Sequence, residues 1–394
     1  MKPVVINGFE VSGVASGLKK NGKKDLGLIR STIPACVAGV FTRNRVQAAP
    51  VLLDRERIKA GTCQAIIVNS GNANCCTGPQ GMMDAIAMAG CVAGELNIEA
   101  DQVLVASTGV IGEPLDVSKI EAAVPALVGS SRTDGIDDLA EAMMTTDTVP
   151  KVACAEGRID GQAFRIAGVA KGAGMIRPDM ATMLCFVMSD IQAEAVAMQE
   201  ILHLAADRSF NRITIDGDMS TNDTILFMAN GTSEASVKSA LHREVFQDAL
   251  DDVLEGLARL CVKDGEGATK LVEVLVRGAA SDRQARAVAD TVAHSNLVKT
   301  ALFGEDANWG RILAAAGRAG VPLEPEKVDI YFDEVQMVKD GTGRGKAVEA
   351  KAAEVLKLPE FVITVDLNMG SGRASVLTCD FSLDYVRINA DYRS

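Results

Sequence analysis

The sequence predicts an α/β protein built in layers, and three observations lead there. Short apolar runs of strand length alternate with longer Ala-rich stretches whose apolar positions recur at helical spacing. Aromatic residues are only 4% of the 394 residues, whereas Ala, Val, Gly and Met are plentiful. That composition favours closely packed layers over an aromatic binding surface. Hydrophobic residues reach 48% and charged residues 23%, the balance of an ordinary folded chain. The length suffices for two or three compact domains.

The elements follow in order. Residues 64–68 (QAIIV) form a buried-strand pattern ending in the turn Asn69-Ser70-Gly71-Asn72. Residues 82–93 carry small and apolar residues at helical spacing, and residues 102–106 (QVLVA) form a second strand leading into Ser107-Thr108-Gly109. A helix over 136–146 presents Ile136, Leu139, Met143 and Met144. Residues 181–188 are strand-like, and Ala-rich helices follow at 194–206 and 237–262. A strand at 270–276 precedes a compositional change near Gly278-Ala279-Ala280-Ser281, which places a domain boundary near residue 280. Beyond it come a helix with Ala285, Val288, Ala289 and Val292, the Trp309 loop, another helix, and β-rich segments at 328–332 and 361–367. Gly341-Thr342-Gly343-Arg344-Gly345 lacks P-loop spacing and reads as a turn.

A formal net charge of -12 repels phosphate backbones and anionic membranes, so nucleic acid and membrane are not expected partners. The nine cysteines are mostly single, and none of the three histidines lies at metal-ligand spacing from one. No metal site and reduced thiols are expected. The first twenty residues lack the apolar core of a signal peptide, and no run approaches a membrane span, so a cytoplasmic location is expected.

The stretch Lys171-Gly172-Ala173-Gly174-Met175-Ile176-Arg177-Pro178-Asp179-Met180-Ala181-Thr182-Met183-Leu184 is the most informative. Thr182 stands at the mouth of an apolar run. It reads either as a plain strand residue or as a nucleophile that cuts its own chain. A threonine with a free α-amine is a self-sufficient pair, because the amine takes the hydroxyl proton. Its reference pKa of about 7.7–8.0 suits a general base near neutrality.

This stretch resembles the self-cleavage motif of the ornithine acetyltransferase family (glutamate N-acetyltransferase of arginine biosynthesis), usually KGSGMIxPNMATML and cut between Ala and Thr. Here the cut falls between Ala181 and Thr182, giving chains 1–181 and 182–394; Ala173 and Asp179 depart from the usual Ser and Asn. The resemblance runs from Gly8-Phe9 to Ile388-Asn389-Ala390-Asp391-Tyr392. It implies a layered α/β sandwich shared with self-cleaving aminopeptidases, residues 1–280, and a smaller C-terminal α/β domain, residues 281–394. It implies a ping-pong reaction. N-acetylornithine acetylates Thr182, ornithine leaves, and glutamate takes the acetyl group to give N-acetylglutamate. No metal or redox cofactor is implied, and two chains of each kind are expected to assemble. Whether acetyl-CoA also serves as donor is left open.

Residue by residue, the resemblance assigns Thr108 and Gly109 to an oxyanion hole; by residue type alone they are a strand-ending turn. Lys171, otherwise a solvated loop residue, would hold a substrate carboxylate. Glu266, in Asp264-Gly265-Glu266-Gly267-Ala268-Thr269-Lys270, would bind the substrate amine or assist proton transfer, and is otherwise a turn residue. Thr145 would contact substrate, as would Asn389 and Ser394 at the C-terminal end. Three further strings, 69–74, 216–223 and 304–311, match the family without an assigned catalytic role. The rivals are an amidase or aminopeptidase of the same architecture, a non-catalytic binding protein, and a dinucleotide-binding dehydrogenase. The last is disfavoured because Gly172-Ala173-Gly174 lacks the third glycine and the following helix.

Overall fold

The computed structural model describes residues 5–177 and 183–391. The chain divides into two compact units. The first holds the described residues up to Met175, those from Met183 to Asn211, and Asp218–Cys261; the second holds Ile176 and Arg177, Arg212–Gly217 and the residues from Val262 onward.

In the first unit the strands are β1 (Phe9–Val14), β2 (Leu26–Phe41), β3 (Thr62–Asn72), β4 (Val103–Val110), β5 (Lys151–Ile159), β6 (Gln162–Lys171), β7 (Leu184–Ser189) and β8 (Thr224–Ala229). The helices are α1 (Ala49–Arg57), α2 (Gly78–Leu96), α3 (Val117–Gly129), α4 (Ile136–Met143), α5 (Ala195–Arg208) and α6 (Ala240–Lys263). Among the described residues the strands form one eight-stranded sheet, ordered β4-β3-β2-β8-β7-β6-β5, with β1 beside β2. β3 runs parallel to β4 and β7 parallel to β8; the other neighbours are antiparallel.

This sheet folds over on itself. β2 pairs with β3 through Leu26–Arg30 and, after a break in register between Arg30 and Ala35, through Ala35 and Cys36, and it pairs with β8 through Cys36–Phe41. Pro34 lies in that break and has no N–H to give a ladder. From β4 to β6 the order runs five steps, roughly 24 Å in a flat sheet at about 4.8 Å per strand. Yet Lys171 of β6 and Thr108 of β4 bring Nζ and Oγ1 to 3.5 Å. The two halves therefore face each other.

Side-chain alternation confirms the layering. Ile66, Val68 and Leu104 share an apolar cluster with Val169, Phe186 and Leu226 of the opposite half. Their neighbours Ala65, Ile67 and Val105 point the other way and pack on Met88, Val92 and Ile120 of α2 and α3. On the outside of the other half, Phe246 of α6 lies 5.3 Å from the Phe164 ring and 6.0 Å from Phe227. A Cβ at Gly168 would sit 2.8 Å from Leu257, so that glycine lets α6 approach the sheet. Helices, two sheet halves and helices stack in four layers, the expected sandwich. The β5–β6 hairpin turns at Asp160-Gly161, both at positive φ (52° and 81°), the signature of a tight two-residue turn.

The second unit contains β9 (Leu271–Ala279), β10 (Asp329–Phe332), β11 (Val335–Lys339), β12 (Thr342–Gly343), β13 (Glu360–Asp366) and β14 (Gly372–Cys379). Its helices are α7 (Asp282–Ala293), α8 (Asn296–Phe303), α9 (Trp309–Gly317), α10 (Lys346–Leu356) and α11 (Leu383–Ala390). The six strands are ordered β12-β11-β10-β13-β9-β14, with β13 and β9 parallel. Ala285, Val288, Ala289 and Val292 of α7 are buried in its core with Val274, Val276, Ile363 and Val376. The sequence places the division near residue 280. The second sheet is instead built around β9, so this unit takes in that strand and begins its main run at Val262. The glycine-rich 341–345 stretch forms the short β12 and the left-handed residues Gly341 and Gly345 that bracket it.

Of the free cysteines, Cys63, Cys75, Cys185, Cys261 and Cys379 are buried, whereas Cys76 and Cys154 are exposed. Among the described residues no helix is long and apolar enough to cross a membrane.

Candidate active site

In the first unit three of the expected residues meet where strands end. Lys171, the last residue of β6, is buried and donates from Nζ to Thr145 Oγ1 at 2.7 Å; Thr108 Oγ1 lies 3.5 Å from the same ammonium. Lys171 is thus no solvated loop residue. Its charge is balanced by Asp147, whose Oδ2 lies 3.8 Å away. Asp147 Oδ1 accepts from Lys151 Nζ at 2.7 Å and from the Gly172 amide at 2.6 Å, and Oδ2 accepts from the Thr145 amide at 3.0 Å. Burial alone would raise this carboxyl's pKa. Lys171 and Lys151, with the hydrogen bonds, overcome it and hold the group well below the usual carboxylate range. One carboxylate therefore fixes both the cation and the backbone bearing Thr145. A cavity of about 490 Å³ opens beside it, lined in part by Thr145 and Asp147.

Gly109 follows Thr108 at φ 135°. A Cβ there would lie 2.3 Å from the Gly71 carbonyl carbon and 2.5 Å from the Asn72 amide, so only glycine fits. Here β3 carries a bulge at Gly71-Asn72 against Thr108 and Val110, which re-aims the end of β4. The polar string 69–74 holds this geometry. Ser107 Oγ donates to Asn69 Oδ1 at 2.6 Å, Asn69 Nδ2 donates to the Asn72 carbonyl at 2.9 Å, and Asn74 Nδ2 donates to the Gly81 carbonyl at 2.8 Å. The Asn69 and Asn74 amide groups thus donate to backbone, while their oxygens accept from the Ser107 and Thr77 hydroxyls.

Ala181 and Thr182, the expected cleavage pair, lie outside the described residues, as does Ser394. The residue after Thr182 is well placed. Met183 donates its amide to Asp223 Oδ1 at 3.0 Å and accepts from the Thr224 amide at 3.1 Å. Leu184, the first residue of β7, registers directly beside Lys171 of β6. Asp223 is fully buried, and among the described residues its Oδ2 has no hydrogen-bond partner. Burial drives its pKa well above the usual value; the Met183 amide, the nearby Ser220 and Thr42 hydroxyls and the charge of Lys171 offset only part of that. The adjacent Asn222 donates from Nδ2 to the carbonyls of Ala73 and Ser107 at 2.6 and 2.8 Å, tying the ends of β3 and β4 together.

In the second unit Glu266 is buried (7% exposed), and its Oε2 accepts from Asn389 Nδ2 of α11 at 2.7 Å. Gly267, at φ 66°, would place a Cβ 2.6 Å from Ser382 Oγ and from the Tyr385 amide, so the loop needs glycine to pass beneath α11. Asp380 fixes the rest of the loop, accepting from the Thr269 and Lys270 amides at 2.8 and 2.9 Å. Glu266 and Asn389 are thus brought together, and Glu266 is no solvated turn residue.

Sequence inspection missed Asp147, Asp223 and Asn222. Asp147 stands in the Thr145-Thr146-Asp147 string, and a lone acidic residue there gave no sign of its two lysine partners. The other two stand in 216–223, a string matched without an assigned catalytic role; among the described residues no acidic, Cys or His cluster could hold a metal ion. The 304–311 string is structural: Asn308 caps α9, accepting from the Arg311 amide at 3.2 Å.

A folded-over sheet that buries a threonine hydroxyl and a lysine ammonium at its strand ends, with a glycine next to the threonine, fits an α/β enzyme of acyl transfer. The comparisons with known proteins carry this further. The model of the ArgJ family matches residues 10–394, and the chain belongs to that family. It is 51% identical over 391 residues to the arginine biosynthesis bifunctional protein ArgJ of Geobacter sulfurreducens, spanning 99% of this chain and 100% of that one. The protein of the same description from Syntrophotalea carbinolica is 51% identical over 393 residues, again 99% and 100%. Among solved structures, an ornithine acetyltransferase from Mycobacterium tuberculosis complexed with ornithine is 39% identical over 45% of this chain and 96% of that one, with a TM-score of 0.41.

Proposed function

We infer that this chain is an acetyltransferase of arginine biosynthesis that moves the acetyl group of N-acetylornithine to glutamate through an acetyl-threonine at Thr182, after cleaving itself between Ala181 and Thr182. Membership of the ArgJ family over residues 10–394 carries this reading, and the Lys171–Thr145–Thr108 cluster supports it.

In self-cleavage the Thr182 hydroxyl attacks the Ala181 carbonyl, the amide becomes an ester, and water hydrolyses the ester. The freed α-amine of Thr182 then acts as general base. In the first half-reaction the Thr182 oxygen attacks the acetyl carbonyl of N-acetylornithine and its proton passes to the amine. The Thr108 hydroxyl and the Gly109 amide hold the oxyanion. The C–N bond breaks and ornithine leaves with the proton. In the second, the glutamate amine attacks the acetyl ester, and Thr182 recovers its proton as N-acetylglutamate departs. Lys171, fixed by Asp147, binds the α-carboxylate that both substrates share, and Thr145 orients it. Glu266, Asn389 and Ser394 contact the remainder of the substrate. The chemistry calls on side chains and backbone alone, without metal or redox cofactor. Acetyl-CoA is a second acetyl donor in this reading, which makes the protein bifunctional. The enzyme works in the cytoplasm as an assembly of two chains of each kind.

The test is an assay of the purified, processed protein with N-acetylornithine and glutamate. Formation of N-acetylglutamate and ornithine in equal amounts is expected. Release of acetate without N-acetylglutamate would make the protein an amidase instead.

A further inference from the structure

The connection between β1 and β2 sets lysines at positions 19, 20, 23 and 24, a cationic segment in a chain of net charge -12. Its backbone is held from below by Asp25, which is fully buried. Asp25 Oδ1 accepts from the Ser16 amide at 2.6 Å and its hydroxyl at 2.8 Å, and Oδ2 accepts from the Lys19 amide at 2.8 Å. The nearest buried carboxylate is thus spent on shaping the loop. Lys19 Nζ donates to the Lys24 carbonyl at 2.7 Å. Burial lowers its pKa to about 8; Lys171 and Lys23 push the same way, against Asp25 and Asp147. Lys24 pairs with Asp138 and Glu141. Among the described residues Lys20 and Lys23 are exposed and have no carboxylate partner.

The same segment walls the 490 Å³ cavity: Lys19, Lys23 and Lys24 line it together with Thr145, which accepts from Lys171. The cavity therefore runs from the acyl-transfer cluster, with Asp147, to a rim that carries Lys19 and Lys23 beside the Lys24–Glu141 pair. Lys171 already answers the single α-carboxylate of an amino-acid substrate. A rim of further ammonium groups fits a ligand that carries several negative charges at a distance from its reactive acyl group. Phosphate oxygens match lysine well as point charges.

We propose that the Lys19–Lys24 loop is the phosphate-binding subsite for a phosphate-bearing acyl thioester, acetyl-CoA, whose acyl end enters the cavity toward Thr145 and Lys171. This rests on the acetyltransferase reading above. In the step it serves, the Thr182 oxygen attacks the thioester carbonyl, the C–S bond breaks, and the thiolate leaves with the threonine proton as free thiol; the acetyl ester then passes to glutamate.

The experiment compares three donors with glutamate as acceptor: acetyl-CoA, the phosphate-free S-acetylpantetheine, and N-acetylornithine. It uses the processed wild type and the double variant Lys20→Ala with Lys23→Ala. Losing two charge-assisted contacts should lower kcat/KM for acetyl-CoA about tenfold or more. The rates with S-acetylpantetheine and N-acetylornithine should stay unchanged, so the preference for the phosphate-bearing donor collapses. An unchanged rate with acetyl-CoA, an equal loss with all three donors, or a raised KM for glutamate with every donor would each overturn the proposal; the last would assign the lysines to the acceptor. If the wild type turns over N-acetylornithine but not acetyl-CoA, coenzyme A is tested as an inhibitor of that reaction. Competitive inhibition lost in the double variant upholds the phosphate subsite while refuting the donor; no inhibition overturns both.

Discussion

Two buried aspartates of the first unit, Asp147 and Asp223, have the same chemistry and opposite fates. Asp147 sits between Lys151 and Lys171 and accepts two backbone amides, so burial is outweighed and it stays an anion. Asp223 is buried as deeply, receives the Met183 amide, and among the described residues has one oxygen without a partner, so burial disfavours its ionised form. The difference teaches what each region is for. Around Asp147 a fixed negative charge is used to hold a cation, Lys171, beside Thr108 and Thr145. Around Asp223 a carboxyl whose charge is disfavoured by burial fixes the backbone of Met183.

Breaking the first region should have the largest effect. Asp147→Ala strands two buried ammonium groups, and removing one partner of a buried ion pair typically costs about 3–5 kcal/mol. Denaturant unfolding should show a loss of that size; a variant as stable as wild type would mean that the network is not what neutralises Lys171. The pH dependence has a defined sign. Because its folded pKa is depressed, Asp147 contributes stability above its unfolded pKa of about 3.9 that is lost as pH falls through the folded value.

Thr108→Ala leaves both aspartates in place and removes the hydroxyl beside Lys171. A fall in kcat of about 10²–10³ is expected with little change in unfolding, the usual effect of removing one oxyanion donor. Wild-type kcat in the folded variant would take Thr108 out of that role.

The second region should tolerate a neutral replacement. Asp223→Asn keeps an acceptor for the Met183 amide, whereas Asp223→Leu leaves that buried N–H unpaired at a cost of about 1–3 kcal/mol. The sign with pH is opposite to that of Asp147. A raised folded pKa gives stability that is full below the unfolded value, about 3.9, and declines as pH rises toward the folded one. Asp223→Asn should therefore gain on wild type as pH rises from about 4. A thermal-unfolding series over pH reads this out, and an Asn variant that loses ground as pH rises would show that Asp223 is ionised.

Glu266→Gln should have the smallest effect. The amide can still meet Asn389 through its oxygen, so unfolding should be unchanged, and acetyl transfer should fall about tenfold through loss of one charged contact. Unchanged steady-state kinetics would reduce Glu266 to a structural part of its loop.

The sequence showed much of this unevenly. The Lys171–Leu184 and Asp264–Lys270 strings named Lys171 and Glu266 by resemblance, and Thr108-Gly109, by residue type alone a strand-ending turn, was named by the same resemblance. The long apolar elements were equally visible: helices expected over 82–93 and 237–262 are α2 and α6, slightly displaced or extended. The folding-over of β2 was not visible, because it depends on which strands pair with β2 on either side of the register break at residues 30–35, a non-local event. The β5–β6 hairpin did leave a local signal, Asp160-Gly161, and was passed over. The charge state of Asp147 depends in part on Lys171, far along the chain, and that of Asp223 on its burial in the folded core, and no local pattern encodes either.

The central claim is that Thr182, freed by cleavage after Ala181, carries the acetyl group. Denaturing mass spectrometry of the purified protein, incubated with N-acetylornithine but no glutamate, tests it most directly. Two chains should appear, the second beginning at Thr182 and heavier by one acetyl group located on that residue. Addition of glutamate should return it to its unmodified mass. A single uncut chain that still transfers acetyl groups, or an acetyl group on any other residue, would contradict the account.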